Sequence, residues 1–184
     1  MLTSNGITLR ALTPADYPRL VGAYNDVELE LLGGGRPPRP VTLAMVTDTF
    51  DDVVKDTQAF TFAIEIDGTF VGTCGLTNLN RVNGTAELGI GIFDRAFLGV
   101  GHGRQVLRLL LDYGFDLQNL RRIWLEVHAT NERAVRAYRA VGFVQEGRLR
   151  EHVWSGGRYD DLVQMGLLRS EWRSADSGRG TPVP

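Results

Sequence analysis

The sequence predicts a mixed α/β (α+β) domain, one sheet of about seven strands with helices on both faces. Three observations carry that prediction. Hydrophobic alternation repeatedly gives way to apolar spacing of helical period, in the order strand, two helices, three strands, helix, strand, helix, two strands. Two turn sequences, Asp67-Gly68 and Ser155-Gly156-Gly157, stand between alternating segments and mark hairpins. A chain of 184 residues without internal repeats has room for one sizeable core and gives no sign of a second.

Ile7–Leu12 (ITLRAL) alternates and is the first strand. It meets TPADYPRL, where Thr13 is a cap and Pro14 suits a first turn, so a helix runs to about Asn25. Leu31–Pro40 (LLGGGRPPRP) reads as a loop, because its glycines and prolines forbid regular structure. TLAMVTDTFDDVVKD is a second helix, and AFTFAIEI and TFVGTCGL pair across Asp67-Gly68. GTAELGIGIFD is the fourth strand, followed by Gly99, Gly101 and Gly103 and a leucine-rich helix. RRIWLEVHA (Arg121–Ala129) is the fifth strand. TNERAVRAYRAVGF is a compact helix capped by Thr130 or Asn131, with Ala134, Ala137, Tyr138 and Val141 on one stripe and Gly142 closing it. The last hairpin turns at Ser155-Gly156-Gly157. A single domain is expected over residues 1–172, and the polar tail 173–184 is expected to be disordered.

The formal net charge of -2 gives no electrostatic reason to expect binding to nucleic acid or to an anionic membrane. One cysteine, Cys74, excludes an internal disulfide and points to a reducing compartment, so a cytoplasmic protein is expected. The opening MLTSNGITLRALT lacks the basic and apolar regions of a secretory signal, and no apolar run approaches membrane-spanning length. His102, His128 and His152 show no close ligand spacing, so no metal is expected.

The glycines before the fourth helix ask for a ligand. A Gly-rich turn at a helix N-terminus aims backbone N–H groups at one spot, where the helix dipole adds about half a positive charge. Phosphate or pyrophosphate suits such a spot, although a plain tight turn would use glycines too. The dinucleotide fingerprint G-x-G-x-x-G counted from Gly99 fails at Arg104, and no G-K-[ST] of a Walker loop is present.

Together with this loop, LEVHATNERAVRAYRAVGF resembles the GNAT N-acetyltransferase superfamily, whose members move acetyl from acetyl-coenzyme A to amines. ITLRALTPAD, GHGRQVLRLLLDYGF, the asparagine seven residues before the tyrosine, and EGRLREHVWSGGRYDDLVQMGLLRSEW are most similar to the ribosomal-protein N-terminal (RimJ/RimL-type) branch. The likeness covers Ile7 to Trp172. Leu98, where the family usually has Gln or Arg, and Arg104-Gln105, where it has a small hydroxyl followed by Glu, depart from the pattern.

The resemblance implies a mostly antiparallel sheet in which the fourth strand carries a bulge and splays from the fifth. Backbone at Ile90, Gly91 and Ile92 would pair with the pantetheine arm, which is peptide-like, and Gly89 and Gly91 leave one face of the strand bare. Val100, Gly101, His102, Gly103, Arg104 and Gln105 would hold the pyrophosphate. Asn131 would cap its helix and contact coenzyme A. Tyr138 would stand at the sulfur as the acid, although on periodicity alone it packs with Ala134 and Val141. For the base, Glu126 matches by spacing the glutamate of some N-terminal acetyltransferases, and Glu87 is a second candidate on the face of Gly89 and Gly91. A solvated or ion-paired strand residue explains Glu126 equally well. Cys74 is core, since direct transfer needs no acetyl-cysteine.

The acceptor is expected among the first helix pair, its loop and the last hairpin, with Asp26, Glu28 and Glu30 supplying negative charge and Asp160 or Asp161 within reach of a cation. Three readings remain. The first, which the branch favours, is transfer to a protein N-terminal α-amino group, and the second is transfer to a small amine, a polyamine or aminoglycoside. The third is a non-catalytic coenzyme A-binding module. Superfamily relatives are often dimers, which leaves room for a homodimer.

Overall fold

The first ten residues already form a hairpin. β1 (Leu2–Ser4) and β2 (Ile7–Arg10) pair antiparallel across Asn5-Gly6, whose φ angles are +47° and +78°. β1 is a strand more than the seven expected. Three residues are too few for alternation to register, and the Asn-Gly turn is its sequence sign. The computed structural model describes residues 1–33, 37–56 and 58–176.

A 3-10 turn over Pro14–Asp16 leads into α1 (Tyr17–Tyr24). α2 (Val27–Gly33) follows at once, so the loop expected from Leu31 begins after Gly33, and residues 34–36 of it lie outside the described residues. Asp26 explains α2: its Oδ1 accepts from the N–H groups of Glu28 (3.1 Å) and Leu29 (3.3 Å), and acids in the first turn favour the positive helix end. α3 (Leu43–Lys55) begins at Thr42, whose hydroxyl accepts from Met45 N–H.

β3 (Phe60–Ile66), β4 (Thr69–Asn80) and β5 (Thr85–Ile92) form a meander. α4 (His102–Asp112) continues into a π-helical turn over Tyr113–Leu117, where Gly114 lies against Ile123 and Leu76. Then come β6 (Arg122–His128), α5 (Glu132–Ala140), β7 (Val144–Ser155) and β8 (Arg158–Leu168). α6 (Arg169–Asp176) takes in residues 173–176 of the expected tail. Its Trp172 donates to Asp112 Oδ1 at 2.9 Å and meets the Phe115 ring, which anchors the helix to the core; residues 177–184 lie outside the described residues.

The sheet order is β1-β2-β3-β4-β5-β6-β8-β7, antiparallel throughout except for β5 and β6. One face carries α4 and α5: Val106, Leu107, Leu110, Leu111, Val135 and Tyr138 pack on Leu76, Ala86, Leu88, Ile123, Leu125 and Met165. On the other, Tyr17, Leu20, Val46 and Phe50 of α1 and α3 pack on Ala63 and Phe70. No helix of the described residues is long and apolar enough to cross a membrane.

Candidate active site

β5 and β6 are paired only over Thr85↔Arg122, Ala86↔Ile123 and Glu87↔Trp124. β5 runs on to Ile92 and β6 to His128, so the two strands part company and leave a wedge between them. The expected splay is therefore present. The extra residue expected on the splayed strand stands instead on β4: between the pairs Thr77↔Glu87 and Asn80↔Thr85 the register shifts, and Asn78 takes a φ of +49°. The reason is that β5 keeps its ladder with β4 through Ile92 and so has no slack of its own.

Along β5, Ala86, Leu88, Ile90 and Ile92 face α4, while Gly89 and Gly91 are exposed on the other face. A Cβ built on either glycine meets nothing within 4 Å, so that face is a bare cradle. Gly72 of β4 is the reverse case. Its Cβ would stand 2.1 Å from the Gly91 carbonyl, so β4 and β5 approach as closely as their backbones allow.

The glycine loop opens α4 as expected. Gly99 and Gly101 take φ of +79° and +97°, conformations that other residues reach only under strain, and Gly101 is the N-cap. Arg104 and Gln105 N–H both donate to Gly101 O (3.1 and 3.4 Å). Those two amides are thus engaged by the cap within the stretch Val100–Gln105 expected to face the pyrophosphate. His102 and Gly103 open the helix, so their N–H groups have no acceptor within it. The Arg104 guanidinium folds back toward the loop: its NH2 would lie 3.7 Å from a Cβ on Gly101. His102 rests its ring on Phe97, and its Nδ1 is buried without a partner, as is Gln105 Oε1.

α5 delivers two more of the expected residues. Asn131 caps it, accepting from Ala134 N–H at 3.2 Å. Tyr138 is 7% exposed and meets Phe143 edge-on, and burial pushes its hydroxyl up to about 12. It both packs, as periodicity said, and keeps its proton at neutral pH.

The two carboxylates lie on the opposite side of the sheet. Glu87, paired with Trp124, shares a face with Glu126, since alternate β6 residues Ile123, Leu125 and Val127 are buried toward α5. Glu87 Oε2 accepts from Asn78 Nδ2 at 2.6 Å and exposed Glu126 accepts from Gln164 Nε2 at 2.9 Å. The sheet thus separates a buried phenol from two carboxylates.

The acidic groups expected to greet a cation are mostly engaged. Arg95 pairs with Asp26 (3.1 Å) and Glu28 (2.8 Å), because the turn after β5 lies against the α1–α2 corner. Asp161 holds Arg148 at 2.5 Å, and Asp160 is buried. Glu30 is half-buried, has no ion pair among the described residues, and has its carboxyl raised by burial. Cys74 is buried in the core, where desolvation drives its thiol upward and keeps it unreactive. Among the described residues no group of His, Cys, Asp or Glu could hold a metal.

Sequence reasoning gave His128 no role and expected Asp160 within reach of a cation, but the two stand buried 3.4 Å apart. The signal for His128 was the even face of β6, which it shares with Glu126.

Residues 7–144 match the family model of the acetyltransferase (GNAT) domain. The chain is 32% identical over 167 residues to a spermidine N(1)-acetyltransferase of Vibrio cholerae, covering 90% of this chain and 95% of that one. It is 31% identical over 127 residues to the spermidine N(1)-acetyltransferase of Escherichia coli, covering 69% and 68% of the two chains. The crystal structure of spermidine N-acetyltransferase from Vibrio cholerae in complex with CoA and spermine superposes with a TM-score of 0.85 at 27% identity, over 92% of this chain and 99% of that chain. Acetyl-coenzyme A fits the residues present: the bare strand at Gly89 and Gly91 leaves room for the arm, and the unpaired amides and orphaned His102 and Gln105 atoms offer polar partners at the loop. The chain belongs to the GNAT acetyltransferase family and is an acetyl-coenzyme A-dependent N-acetyltransferase.

Proposed function

We propose that the acceptor is a small polycationic amine of the spermidine class rather than a protein N-terminus. The observation that carries this reading is the likeness to spermidine acetyltransferases over nearly the full length of both chains. Half-buried Glu30, with no cation beside it among the described residues, and the carboxylates Glu87 and Glu126 on the open face supply the negative charge a polyamine needs.

In the reaction an amine must arrive unprotonated, since its lone pair attacks the thioester carbon, and an alkylammonium resembling lysine loses its proton only near pH 10 in water. Glu126, or Glu87 one strand away, receives that proton on the open face of the sheet. Backbone N–H in the stretch Ile90–Ile92 polarises the thioester oxygen. Tyr138, on the other face, gives its proton to the departing sulfur. The backbone at Val100–Gly103, the Arg104 guanidinium and Asn131 hold coenzyme A, with charge supplied by Arg104 and the α4 N-terminus. Carboxylates and phenol on opposite sides of the sheet keep proton removal and proton delivery apart.

Free-thiol release from acetyl-coenzyme A tests the acceptor. Spermidine and spermine should give turnover well above that with ribosomal-protein N-terminal peptides or aminoglycosides. Turnover confined to the peptides would overturn the polyamine reading and restore the N-terminal one.

A further inference from the structure

β8 carries a carboxylate that none of these roles uses. Asp160 is 8% exposed, and the β6–α5 connection converges on it. Thr130 donates its hydroxyl to Oδ2 at 2.6 Å and its N–H to the same oxygen at 3.4 Å, and His128 Nδ1 stands 3.4 Å from it. Oδ1 accepts from Asp161 N–H at 2.9 Å. Ala129 N–H donates to Asp161 O at 2.8 Å, so the connection is pinned to β8 by backbone as well. Asn131 N–H then donates to His128 O at 3.0 Å, and its side chain caps α5. Hydrogen bonds thus hold the connection on both sides of Thr130, one set at Asp160 and the other at the first turn of α5.

A turn that needed only holding would be served by a neutral acceptor, because a buried carboxylate is costly unless every lone pair is satisfied. Burial does push Asp160 up, but the Thr130 and Asp161 donors outweigh it and hold the carboxyl below its usual range. The adjacent Asp161 grips the other strand of the hairpin, accepting from Arg148 Nε at 2.5 Å and Glu151 N–H at 2.7 Å where β7 bulges between Leu149 and Val153. Residues 160 and 161 therefore join the last hairpin to the helix that carries Tyr138.

We infer that Asp160 is a positioning residue: through Thr130 it fixes the start of α5 on the sheet, and thereby where the Tyr138 hydroxyl stands. The inference rests on Tyr138 acting as the acid. A double-mutant cycle on kcat, measured per folded molecule with spermidine as the acceptor, tests it. Asp160→Asn should lower kcat by roughly tenfold or more, since small displacements of a reacting group are expensive. Acetyl-coenzyme A affinity, read by titration, should fall by much less than kcat. In a Tyr138→Phe background the same substitution should cost almost nothing further. Thr130→Val should repeat the loss and Thr130→Ser should restore it, which keeps the question answerable if Asp160→Asn does not fold. Equal losses in both backgrounds, or an unchanged kcat beside a lowered Tm, would overturn the positioning role and leave the acid role standing. Wild-type kcat in Tyr138→Phe alone would overturn both.

Discussion

The glycines of β5 and the tyrosine of α5 show how one residue can serve folding and function differently. Gly89 and Gly91 have ordinary φ and empty space where a Cβ would go, so nothing in the folded chain requires glycine there. Gly91→Ala should leave Tm unchanged or slightly higher, since alanine is favoured over glycine in a strand by about 0.5–1 kcal/mol. Its effect should appear as weaker acetyl-coenzyme A binding; unchanged affinity would remove the pantetheine arm from that cradle. Tyr138 is the converse, a buried ring whose hydroxyl is the only polar atom removed by Tyr138→Phe. Turnover should fall by roughly a hundredfold, within the usual span for a positioned proton donor, with cofactor affinity nearly intact. The protonated phenol is the active form and burial raises it to about 12, so Tyr138 should impose no fall in rate between neutrality and about pH 10. A rate limb near the ordinary tyrosine value that vanished in Tyr138→Phe would contradict this environment.

At the scale of elements, the β4–β5 pair is the rigid wall of the wedge. Gly72→Ala would drive a methyl into the Gly91 carbonyl at 2.1 Å and toward Ile92 Cα at 2.9 Å, both backbone atoms. The strands must separate, so a loss of about 3 kcal/mol and a markedly lower urea midpoint are expected, in contrast to the mild effect at Gly91. Neighbouring glycines in one ladder thus differ because one faces a backbone and the other a void. Sequence alone marks all of them alike, and it is the pairing register that tells them apart. Long periodic elements were legible: α3, β3 and α5 lie within a residue or two of expectation, while β4 runs on to Asn80, four residues past the expected Leu76. α2 was not, because GGGRPP beside it outweighed the Asp26 cap and the apolar spacing in VELELL. The glycine loop before α4 and the Asn131 cap of α5 were legible because turn and cap signals are local. The engagement of Asp26 and Glu28 by Arg95 was not, since the partners are 69 residues apart for Asp26 and meet only when β5 ends against the α1–α2 corner.

Across the whole molecule the sheet is a partition. α4 and α5 bury one side, α1 and α3 bury the far half of the other, and the uncovered remainder carries Glu87 and Glu126. What ties the α1 layer to the sheet is Asp16, 5% exposed, which receives both terminal nitrogens of Arg10 at 2.8 Å while Arg10 Nε reaches Glu65 at 2.7 Å. Burial alone would raise the Asp16 carboxyl, but Arg10 together with the Thr13 hydroxyl and N–H overcomes that and holds it below the usual carboxylate range. A carboxyl whose folded value is depressed stabilises the fold fully above its unfolded value, about 3.9, and that contribution is lost as pH falls through the folded value. Thermal stability should therefore be flat near neutrality and decline below about pH 4. Asp16→Asn should lower stability by about 2 kcal/mol at pH 7, as expected for loss of a charge-assisted pair. The gap between variant and wild type should narrow as pH falls below about 4 and through the depressed folded value, because protonation then removes from the wild type what the substitution removed. A gap that persists undiminished in acid would mean that Asp16 contributes shape and neutral hydrogen bonds, and that the charge of the Arg10 pair adds nothing to the joint between helix layer and sheet.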